Sequence, residues 1–348
     1  MKNIICIVGN PNCGKTTLFN ALTGSKQEVG NWPGVTVDKK TGRYSFEGND
    51  VEIVDLPGIY SITPASTSGE DERIARDYIL TDEAQAVINI VDASNLERNL
   101  YLTAQLIEMR VPMVVAVNML DIAKNHKIEV DLKALQQALG CPVVGLVAAR
   151  EQGVRELQKT VAEFLKNPQL PPMNVSFEDR IEKAREAITQ GLRKEGVERP
   201  EWFALQLVEG APGIEDKLPA EAYAKVKKIV DDVNAAYDGD ADIVVADARY
   251  NFVNRITQKA LIRHGEMSNT MTDKIDRVVL NRWLGLPIFL AIMYVMFLFT
   301  QNLGGAFIDF FDITFAGIFV DGFGRLLEAV GTPEWLKVLL ADGIGGGI

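Results

Sequence analysis

The feature that most constrains this chain is a glycine-containing segment at positions 9–16, directly after the first apolar run of its 348 residues. The segment fits the pattern G-x-x-x-x-G-K-[ST], whose glycines let backbone amides turn inward around phosphate groups. It lies between a predicted strand at residues 4–8 and a predicted helix, which is the context that the pattern requires. The sequence therefore predicts a phosphate-binding P-loop. Its residues are Gly9, Asn10, Pro11, Asn12, Cys13, Gly14, Lys15 and Thr16, with Thr17 directly after them.

The first half of the chain alternates short β-branched runs with helical patterns. The runs occur at residues 4–8, 51–55, 86–91, 113–118 and 142–147. Such alternation predicts βαβ units, and hence an α/β P-loop GTPase domain with a mostly parallel sheet covered by helices. The prolines between positions 168 and 172 cannot continue a helix, so we place a domain boundary there. The predicted G domain spans residues 1–166, and a linker follows at residues 167–175.

The second half of the chain has a different pattern. Residues 176–270 are helical in pattern and predict a small all-α domain. Residues 283–308 then carry no charged side chain for 26 positions, more than the roughly 20 apolar residues that span a bilayer as a helix. We predict a transmembrane helix there, with a buried core helix as the alternative. Residues 271–282 form a juxtamembrane segment, and residues 309–348 the truncated start of a membrane or periplasmic region.

Charge indicates on which side of the membrane the N-terminal domains lie. Lys274, Arg277 and Arg282 precede the apolar run, and the positive-inside tendency places these domains in the cytoplasm. The formal net charge of −11 argues against a nucleic-acid partner, because phosphate binding draws on a basic face. The three cysteines are too few and too scattered for a disulfide framework or a structural zinc site.

A second motif closes a predicted strand and consists of Asp55, Leu56, Pro57 and Gly58. Asp55 is expected to hold a Mg²⁺ ion through water, while the Gly58 amide meets the γ-phosphate. Lys15 is expected to bridge the β- and γ-phosphates, and Thr16 to ligate Mg²⁺ directly. These four roles together describe the phosphate half of a nucleotide site.

A threonine in the loop after the P-loop helix completes this set. Thr36 follows Gly34 and Val35, between that helix and the second predicted strand, in a segment typical of a mobile switch loop. We predict that Thr36 completes the Mg²⁺ coordination. Taken alone, a threonine at this position would be an ordinary solvated loop residue.

A third motif predicts the base that the site binds. Asn118, Met119, Leu120 and Asp121 follow an apolar strand and match the pattern N-[KM]-x-D. The Asp121 carboxylate is expected to accept hydrogen bonds from N1 and the exocyclic amino group of guanine, which adenine does not present in the same way. Guanine is therefore preferred over adenine. The alternative is an Asx-type cap at the strand end without a ligand.

The last base loop is the weakest part of the predicted site. It comprises Val147, Ala148 and Ala149. A serine or threonine often precedes the alanine in this pattern, and Cys13 likewise occupies a position that is often serine, alanine or valine. Some ATP hydrolysis therefore stays open.

Ile59 follows the second motif, at the position where Ras-type GTPases carry a glutamine that orients water. An isoleucine cannot orient water, so turnover is slow and assisted by something else, or the site recruits a monovalent cation. Asn12 favours the cation, because asparagine at this P-loop position recurs in potassium-activated GTPases. Its alternative role is to stabilise the loop.

Four segments of the chain resemble the FeoB family of ferrous-iron transport proteins. They are residues 29–37, 55–61, 91–100 and 280–289. The resemblance implies a G domain, a helical domain similar to a nucleotide-dissociation-inhibitor module, and a membrane part that carries Fe²⁺ inward across the bacterial inner membrane. It also implies that the backbone carbonyls of Gly30 and Trp32 hold K⁺ beside Asn12.

The motifs and the resemblance predict the GTP-binding and GTP-hydrolysing part of a ferrous-iron uptake transporter, with GTP, Mg²⁺ and K⁺ as cofactors. Its predicted catalytic residues are Lys15, Asn12, Thr36 and Gly58. The expected partners are GTP or GDP, Fe²⁺ as transported substrate, the membrane, further copies of the chain and small cytoplasmic accessory proteins. Two alternatives remain: a soluble K⁺-dependent GTPase acting on ribosomes or tRNA, and a non-catalytic membrane-tethered switch that releases a partner from residues 60–79.

Overall fold

The computed structural model of the protein describes residues 3–24, 27–63, 69–172, 175–263, 275, 278–281 and 283–340. The chain divides into two compact units, Met1–Met267 and Ser268–Ile348. The predicted cationic flank of the apolar run, at Lys274, Arg277 and Arg282, lies outside the described residues.

Nine strands occur among the described residues of the first unit. They are β1 (Asn3–Gly9), β2 (Gln27–Asn31), β3 (Asp38–Phe46), β4 (Asn49–Asp55), β5 (Ala86–Asp92), β6 (Met113–Asn118), β7 (Ile128–Val130), β8 (Val143–Gly145) and β9 (Leu261–Arg263). Seven of them form one sheet in the order β2-β3-β4-β1-β5-β6-β8. The pairs among β4, β1, β5, β6 and β8 are parallel, whereas β2 and β3 add an antiparallel edge. The predicted α/β class with a mostly parallel sheet is confirmed.

The central strands are buried on both faces of this sheet. In β1, Ile5 and Ile7 belong to one buried apolar cluster, while Cys6 and Val8 belong to the other. Successive side chains of a strand point to opposite faces, so both faces must be covered by apolar neighbours. A strand in this position needs an unbroken apolar run. The runs that predicted β1, β4, β5, β6 and β8 have this composition for that reason.

Ten helices accompany the strands in the described part of the first unit. They are α1 (Lys15–Thr23), α2 (Glu70–Leu80), α3 (Leu96–Glu108), α4 (Leu120–Asn125), α5 (Leu132–Leu139), α6 (Val154–Phe164), α7 (Asp179–Lys194), α8 (Pro200–Val208), α9 (Ala220–Ala236) and α10 (Ala241–Ala260). Short 3₁₀ turns occur at Ala93–Asn95, Ala148–Arg150 and Glu215–Lys217. The last four helices form the predicted all-α segment.

The antiparallel edge was not among the predicted strands. The sequence analysis treats the segment after α1 as loop, but β2 pairs there with β3, from Gln27 opposite Gly42 to Asn31 opposite Asp38. The residues of β2 are nearly all exposed, so this strand has no apolar face that a sequence pattern could reveal. Thr36 consequently lies in the turn between β2 and β3 rather than in a long loop before the second strand.

A strand at the end of the all-α segment pairs with a strand of the predicted G domain. β9 follows α10 directly and pairs antiparallel with β7, with Val130 opposite Leu261. The Asp131 amide also donates to the Ala260 carbonyl over 2.8 Å. The predicted boundary at residues 167–175 therefore separates two sequence patterns that fold into one compact unit.

A buried ionic cluster lies between these two parts. The Arg249 guanidinium of α10 donates to both carboxylate oxygens of Glu108 on α3, at 2.8 to 3.0 Å, and also to the Glu209 carboxylate. All three side chains are at most 3% exposed. Although burial lowers the pKa of Arg249, the two carboxylates raise it well above its ordinary value, so the guanidinium stays charged. The Tyr101 and Tyr250 rings, 5.0 Å apart, add an aromatic contact between the same two helices.

We expect a chain ending at Met267 to be a soluble monomer, because β9 completes the first unit upstream of the apolar helix. A chain ending at residue 166 is the control. It loses Arg249 and leaves the buried Glu108 carboxylate without its partner, so we expect this shorter chain to aggregate. Size-exclusion chromatography with light scattering compares the two. Aggregation of the longer fragment would show that the unit boundary is misplaced.

The second unit contains α11 (Gly285–Phe315), a π-helical stretch at Ala316–Gly322, α12 (Phe323–Ala329) and α13 (Glu334–Lys337). The apolar run thus forms a helix, which continues past residue 308 through Asp309 and Asp312. Within the described residues, one helical span, Gly285–Ile318, is long and apolar enough to cross a membrane. Its most apolar window is not buried, which disfavours the alternative of a buried core helix. A membrane position for this helix stays a prediction.

Candidate nucleotide-binding site

The P-loop connects the end of β1 at Gly9 to the start of α1 at Lys15. Asn12 and Gly14 both have positive φ angles, 65° and 94°, which turn the backbone of the loop sharply. A Cβ atom on Gly14 would lie 2.3 Å from Asn118 Nδ2, so both the conformation and the space require glycine there. The N-terminal end of α1 carries a partial positive charge and free amides, which favour an anion at this place.

Asn118 joins the P-loop to the last base loop. Its Nδ2 donates to the Cys13 carbonyl over 3.0 Å, and its Oδ1 accepts from the Ala148 amide over 2.9 Å. The side chain is 3% exposed, so these two bonds are shielded from water. Residues predicted from three separate motifs are therefore in contact. Asn118 holds the two loops in place through its own side chain.

Asp121 is the carboxylate of the base motif and lies in the first turn of α4. Met119 precedes this helix with a φ angle of 62°, a left-handed conformation that turns the chain between β6 and α4. Asp121 Oδ1 accepts from the Ile122 amide over 3.0 Å, and Oδ2 lies 3.5 Å from Arg150 Nη2. The Asp121 side chain is 30% exposed and so remains accessible to a ligand.

The second motif lies beside the P-loop. The Leu56 amide donates to the Ile7 carbonyl and the Ile59 amide to the Gly9 carbonyl, each over 3.2 Å. A Cβ atom on Gly58 would lie 2.7 Å from Lys15 Nζ and 3.2 Å from Pro11 Cα, so a larger residue would displace the lysine. The predicted phosphate-binding lysine and the predicted γ-phosphate amide are therefore neighbours.

Asp55 is the carboxylate of this phosphate region. It is 8% exposed, and its Oδ1 atom is buried without a hydrogen-bond partner. Burial raises the pKa of the Asp55 carboxyl, while Lys15 and Lys40 lower it. A buried carboxylate oxygen without a partner normally carries a free-energy cost, which a bound cation or its water shell removes. The oxygen donors of Asp55, Thr16 and Thr36 are of the kind that Mg²⁺ prefers.

Comparison with known proteins decides the family. Residues 3–161 match the family model described as ferrous iron transport protein B, and residues 177–262 match the model of the FeoB cytosolic helical domain. The solved cytosolic domain of L. pneumophila FeoB is 36% identical with a TM-score of 0.66, and the match covers 74% of this chain and 99% of that one. The chain belongs to the FeoB family.

Full-length relatives and a further structure agree with this assignment. The Fe(2+) transporter FeoB of Legionella pneumophila (strain Lens) is 42% identical over 98% of this chain, and that of Escherichia coli (strain K12) is 40% identical over 100%. This chain covers 45% of the length of each. The GMPPNP form of the T. maritima FeoB cytosolic domain is 32% identical with a TM-score of 0.65, covering 75% of this chain and 100% of that one.

The predicted switch threonine and potassium ligands of this FeoB chain lie in or near the β2–β3 turn. Thr36 is exposed, and Gly30 lies in β2 opposite Lys39. The Trp32 amide donates to the Val37 carbonyl over 2.9 Å, and the Trp32 carbonyl accepts from the Val35 amide over 3.3 Å. Roles for Gly30 and Trp32 around K⁺, and for Thr36 around Mg²⁺, stay predictions.

The Trp32 side chain packs the turn between β2 and β3 against α2. Its ring is 6% exposed and packs edge-on against Tyr78 of α2, with centroids 5.3 Å apart. Lys39 Nζ lies 4.8 Å from the centroid of the Trp32 ring. A cation above an aromatic face adds to the stability of this packing. A movement of the β2–β3 turn would therefore require this contact with α2 to rearrange.

Gln105 lies next to the segment that follows the second motif, and no motif predicted it. This buried side chain of α3 accepts from the Ile62 amide over 2.9 Å and donates to Ser61 Oγ and Thr63 Oγ1 over 2.9 and 2.8 Å. It thereby holds the segment that follows Gly58. A signal exists in the sequence, because a glutamine interrupts the apolar face of α3 beside Leu102 and Leu106, but that signal does not reveal the partner.

Proposed function

We propose that this chain binds and hydrolyses GTP as the cytoplasmic part of a ferrous-iron transporter. One observation carries the nucleotide part of the proposal: Lys15 Nζ, the Gly58 backbone and a buried Asp55 oxygen without a partner lie in one region at the N-terminal end of α1. The relatives support the rest, since those from L. pneumophila and E. coli are named Fe(2+) transporters and a T. maritima cytosolic domain was solved in a GMPPNP form.

The phosphate groups of GTP would be held by the P-loop amides and the α1 terminus, with Lys15 between the β- and γ-phosphates. Thr16 and Thr36 would hold Mg²⁺ directly and Asp55 through water, and this ion neutralises charge on the β- and γ-phosphates when it is bound. The Gly58 amide would donate to the γ-phosphate. Because Gly58 and Lys15 are already adjacent, little reorganisation is needed to place both on the same phosphate.

The attacking water receives no help from a side chain directly after the motif. Ile59 is 1% exposed and belongs to the apolar core between α2 and the sheet. It is therefore a packing residue. Positive charge and backbone donors must stabilise the transition state instead, and Asn12 with the carbonyls of Gly30 and Trp32 would hold a K⁺ ion that supplies part of that charge.

Replacing Na⁺ by K⁺ at constant ionic strength should raise GTP turnover by roughly tenfold, below the ~10³–10⁵ that an arginine finger contributes. Nucleotide affinity should change much less, because added charge stabilises the transition state most. Asn12→Ala should remove the potassium response and leave GTP bound through Lys15 and Asp121. Steady-state phosphate release measures the first effect, and calorimetric titration the second.

Two results would contradict this account. If hydrolysis by the unmodified chain does not respond to the cation, Asn12 only stabilises the loop. If the Asn12→Ala variant keeps the full response, K⁺ does not use Asn12. Multiple-turnover hydrolysis in the same assay also separates an enzyme from a non-catalytic switch, which would release no phosphate beyond one equivalent.

The remaining parts of the chain fit the same function. We propose that residues 1–166 are the G domain, 176–270 the helical domain and 283–308 the core of a membrane helix in the bacterial inner membrane, with the first two in the cytoplasm. The exposed apolar surface of Gly285–Phe315 supports the membrane position. Fe²⁺ is then the transported substrate of a longer protein, whose further partners would be other copies of the chain and small cytoplasmic proteins.

A further inference from the structure

The Asp121 carboxylate is engaged on both oxygen atoms by the protein itself. Oδ1 accepts from the Ile122 amide over 3.0 Å, and Oδ2 pairs with the Arg150 guanidinium at 3.5 Å. The first contact is local and leaves room for a further donor, because each carboxylate oxygen accepts about two hydrogen bonds. The second contact brings a full positive charge from a different loop to one of the two oxygen atoms that guanine would use.

The backbone at Arg150 is fixed, whereas its side chain is free to move. Arg150 ends the 3₁₀ turn after Val147, and its amide donates to the Val147 carbonyl over 2.9 Å. Val147 is bridged in turn to Gln152, and Glu151 has a φ angle of 56°. The Arg150 side chain is 66% exposed. The guanidinium is thus held within reach of Asp121, but it can swing into solvent at small cost.

We propose that Arg150 competes with the guanine base for Asp121 and thereby accelerates nucleotide release. The proposal rests on guanine binding by Asp121, as proposed above. Guanine presents two donors, N1–H and the 2-amino group, which together occupy both carboxylate oxygens. The Arg150 pair loosens when the base binds and forms again as the base leaves. Arg150 is therefore a positioning residue that acts through Asp121.

The expected change in GDP release is small because the Arg150–Asp121 ion pair is exposed to solvent. Exposed ion pairs contribute little, so loss of the competitor should slow GDP release and tighten GDP binding by about twofold to fivefold. The direction of the change in GDP affinity distinguishes competition for Asp121 from electrostatic attraction between Arg150 and the nucleotide. If Arg150 mainly attracted the anionic nucleotide, its removal would weaken GDP binding instead.

The test measures the release of fluorescently labelled GDP from the full chain in detergent, after addition of excess unlabelled GDP. Arg150→Gln should release GDP about twofold to fivefold more slowly than the unmodified chain. Arg150→Lys retains a cation and should restore most of the faster release. Arg155→Gln is the matched control, since Arg155 lies exposed at the start of α6 and its loss removes the same charge from the same region.

A double variant tests whether Arg150 acts through Asp121. In an Asp121→Asn background, with xanthosine diphosphate as the nucleotide, Arg150→Gln should change release no more than Arg155→Gln does. Release from Arg150→Gln at the unmodified rate or faster would overturn the proposal. So would an equal slowing by Arg155→Gln. A chain that binds no guanine nucleotide at all would instead overturn the proposed function, and this inference with it.

Discussion

Replacing Arg249 with methionine while both glutamates remain should destabilise the first unit by about 3–5 kcal/mol, because two buried carboxylates lose the guanidinium with which both of them pair. The substitution should also remove the hydrogen bonds between α10 and α3 that Arg249 makes to Glu108. Thermal unfolding of the Met1–Met267 fragment, followed by circular dichroism, measures the effect. This is the largest stability change that we expect from a single substitution outside the nucleotide site.

Two controls separate the buried charge from other consequences of the change. Arg193→Met breaks an exposed pair with Glu201 and should cost less than about 1 kcal/mol. A triple variant, with Arg249→Met, Glu108→Leu and Glu209→Met, should recover much of the stability, since replacing a whole buried ionic cluster by apolar residues is often neutral. Equal losses for Arg249→Met and Arg193→Met would show that the buried cluster contributes nothing special.

Asp121→Asn should weaken GTP binding by about 10- to 150-fold, the equivalent of the ~1.5–3 kcal/mol of a charge-assisted hydrogen bond. The substitution places an amide donor where guanine also presents donors. Xanthine carries an oxygen at the position of the 2-amino group, so the variant should favour xanthosine triphosphate. Calorimetric titration with both nucleotides measures the exchange of preference.

Asp231→Asn is the matched control for this exchange, because Asp231 lies exposed on α9 and its loss changes the net charge equally. Its GTP affinity should equal that of the unmodified chain. Unchanged GTP affinity in Asp121→Asn would remove the basis for guanine recognition. It would leave Asp121 as a residue of the first helical turn whose contacts, with the Ile122 amide and the Arg150 guanidinium, are structural.

The parts of the fold that could be predicted are those whose structure is determined by residues within the same short segment. Strands β5 and β6 are buried on both faces, so each can be recognised in the sequence as a run of mostly apolar residues. The P-loop is equally local, since its backbone turns need glycine at Gly14. β2 could not be predicted, because its residues are mostly exposed and it forms a strand through its backbone pairing with β3.

The contacts that could not be predicted, beside the candidate site and elsewhere, join residues far apart in sequence. Gln105 bonds Ser61 across 44 positions, and Arg249 bonds Glu108 across 141. Neither pair leaves a spacing pattern, because each side chain is placed by the packing of a whole helix. The pairing of β9 with β7 joins the helical segment to the sheet-containing segment, and it could not be predicted for the same reason. A three-residue strand such as β9 is too short for a periodic signal.

The pairing of β7 with β9 also determines when the first unit can finish folding during synthesis. β7 emerges early but has no partner until Arg263 has been made, more than a hundred residues later. Closing so long a loop is entropically costly and slow. Only residues 264–284 then separate β9 from the apolar helix that starts at Gly285. Domains fold as units while synthesis proceeds from the N-terminus. The last described strand of the first unit is therefore synthesised shortly before the helix that we propose to lie in the membrane.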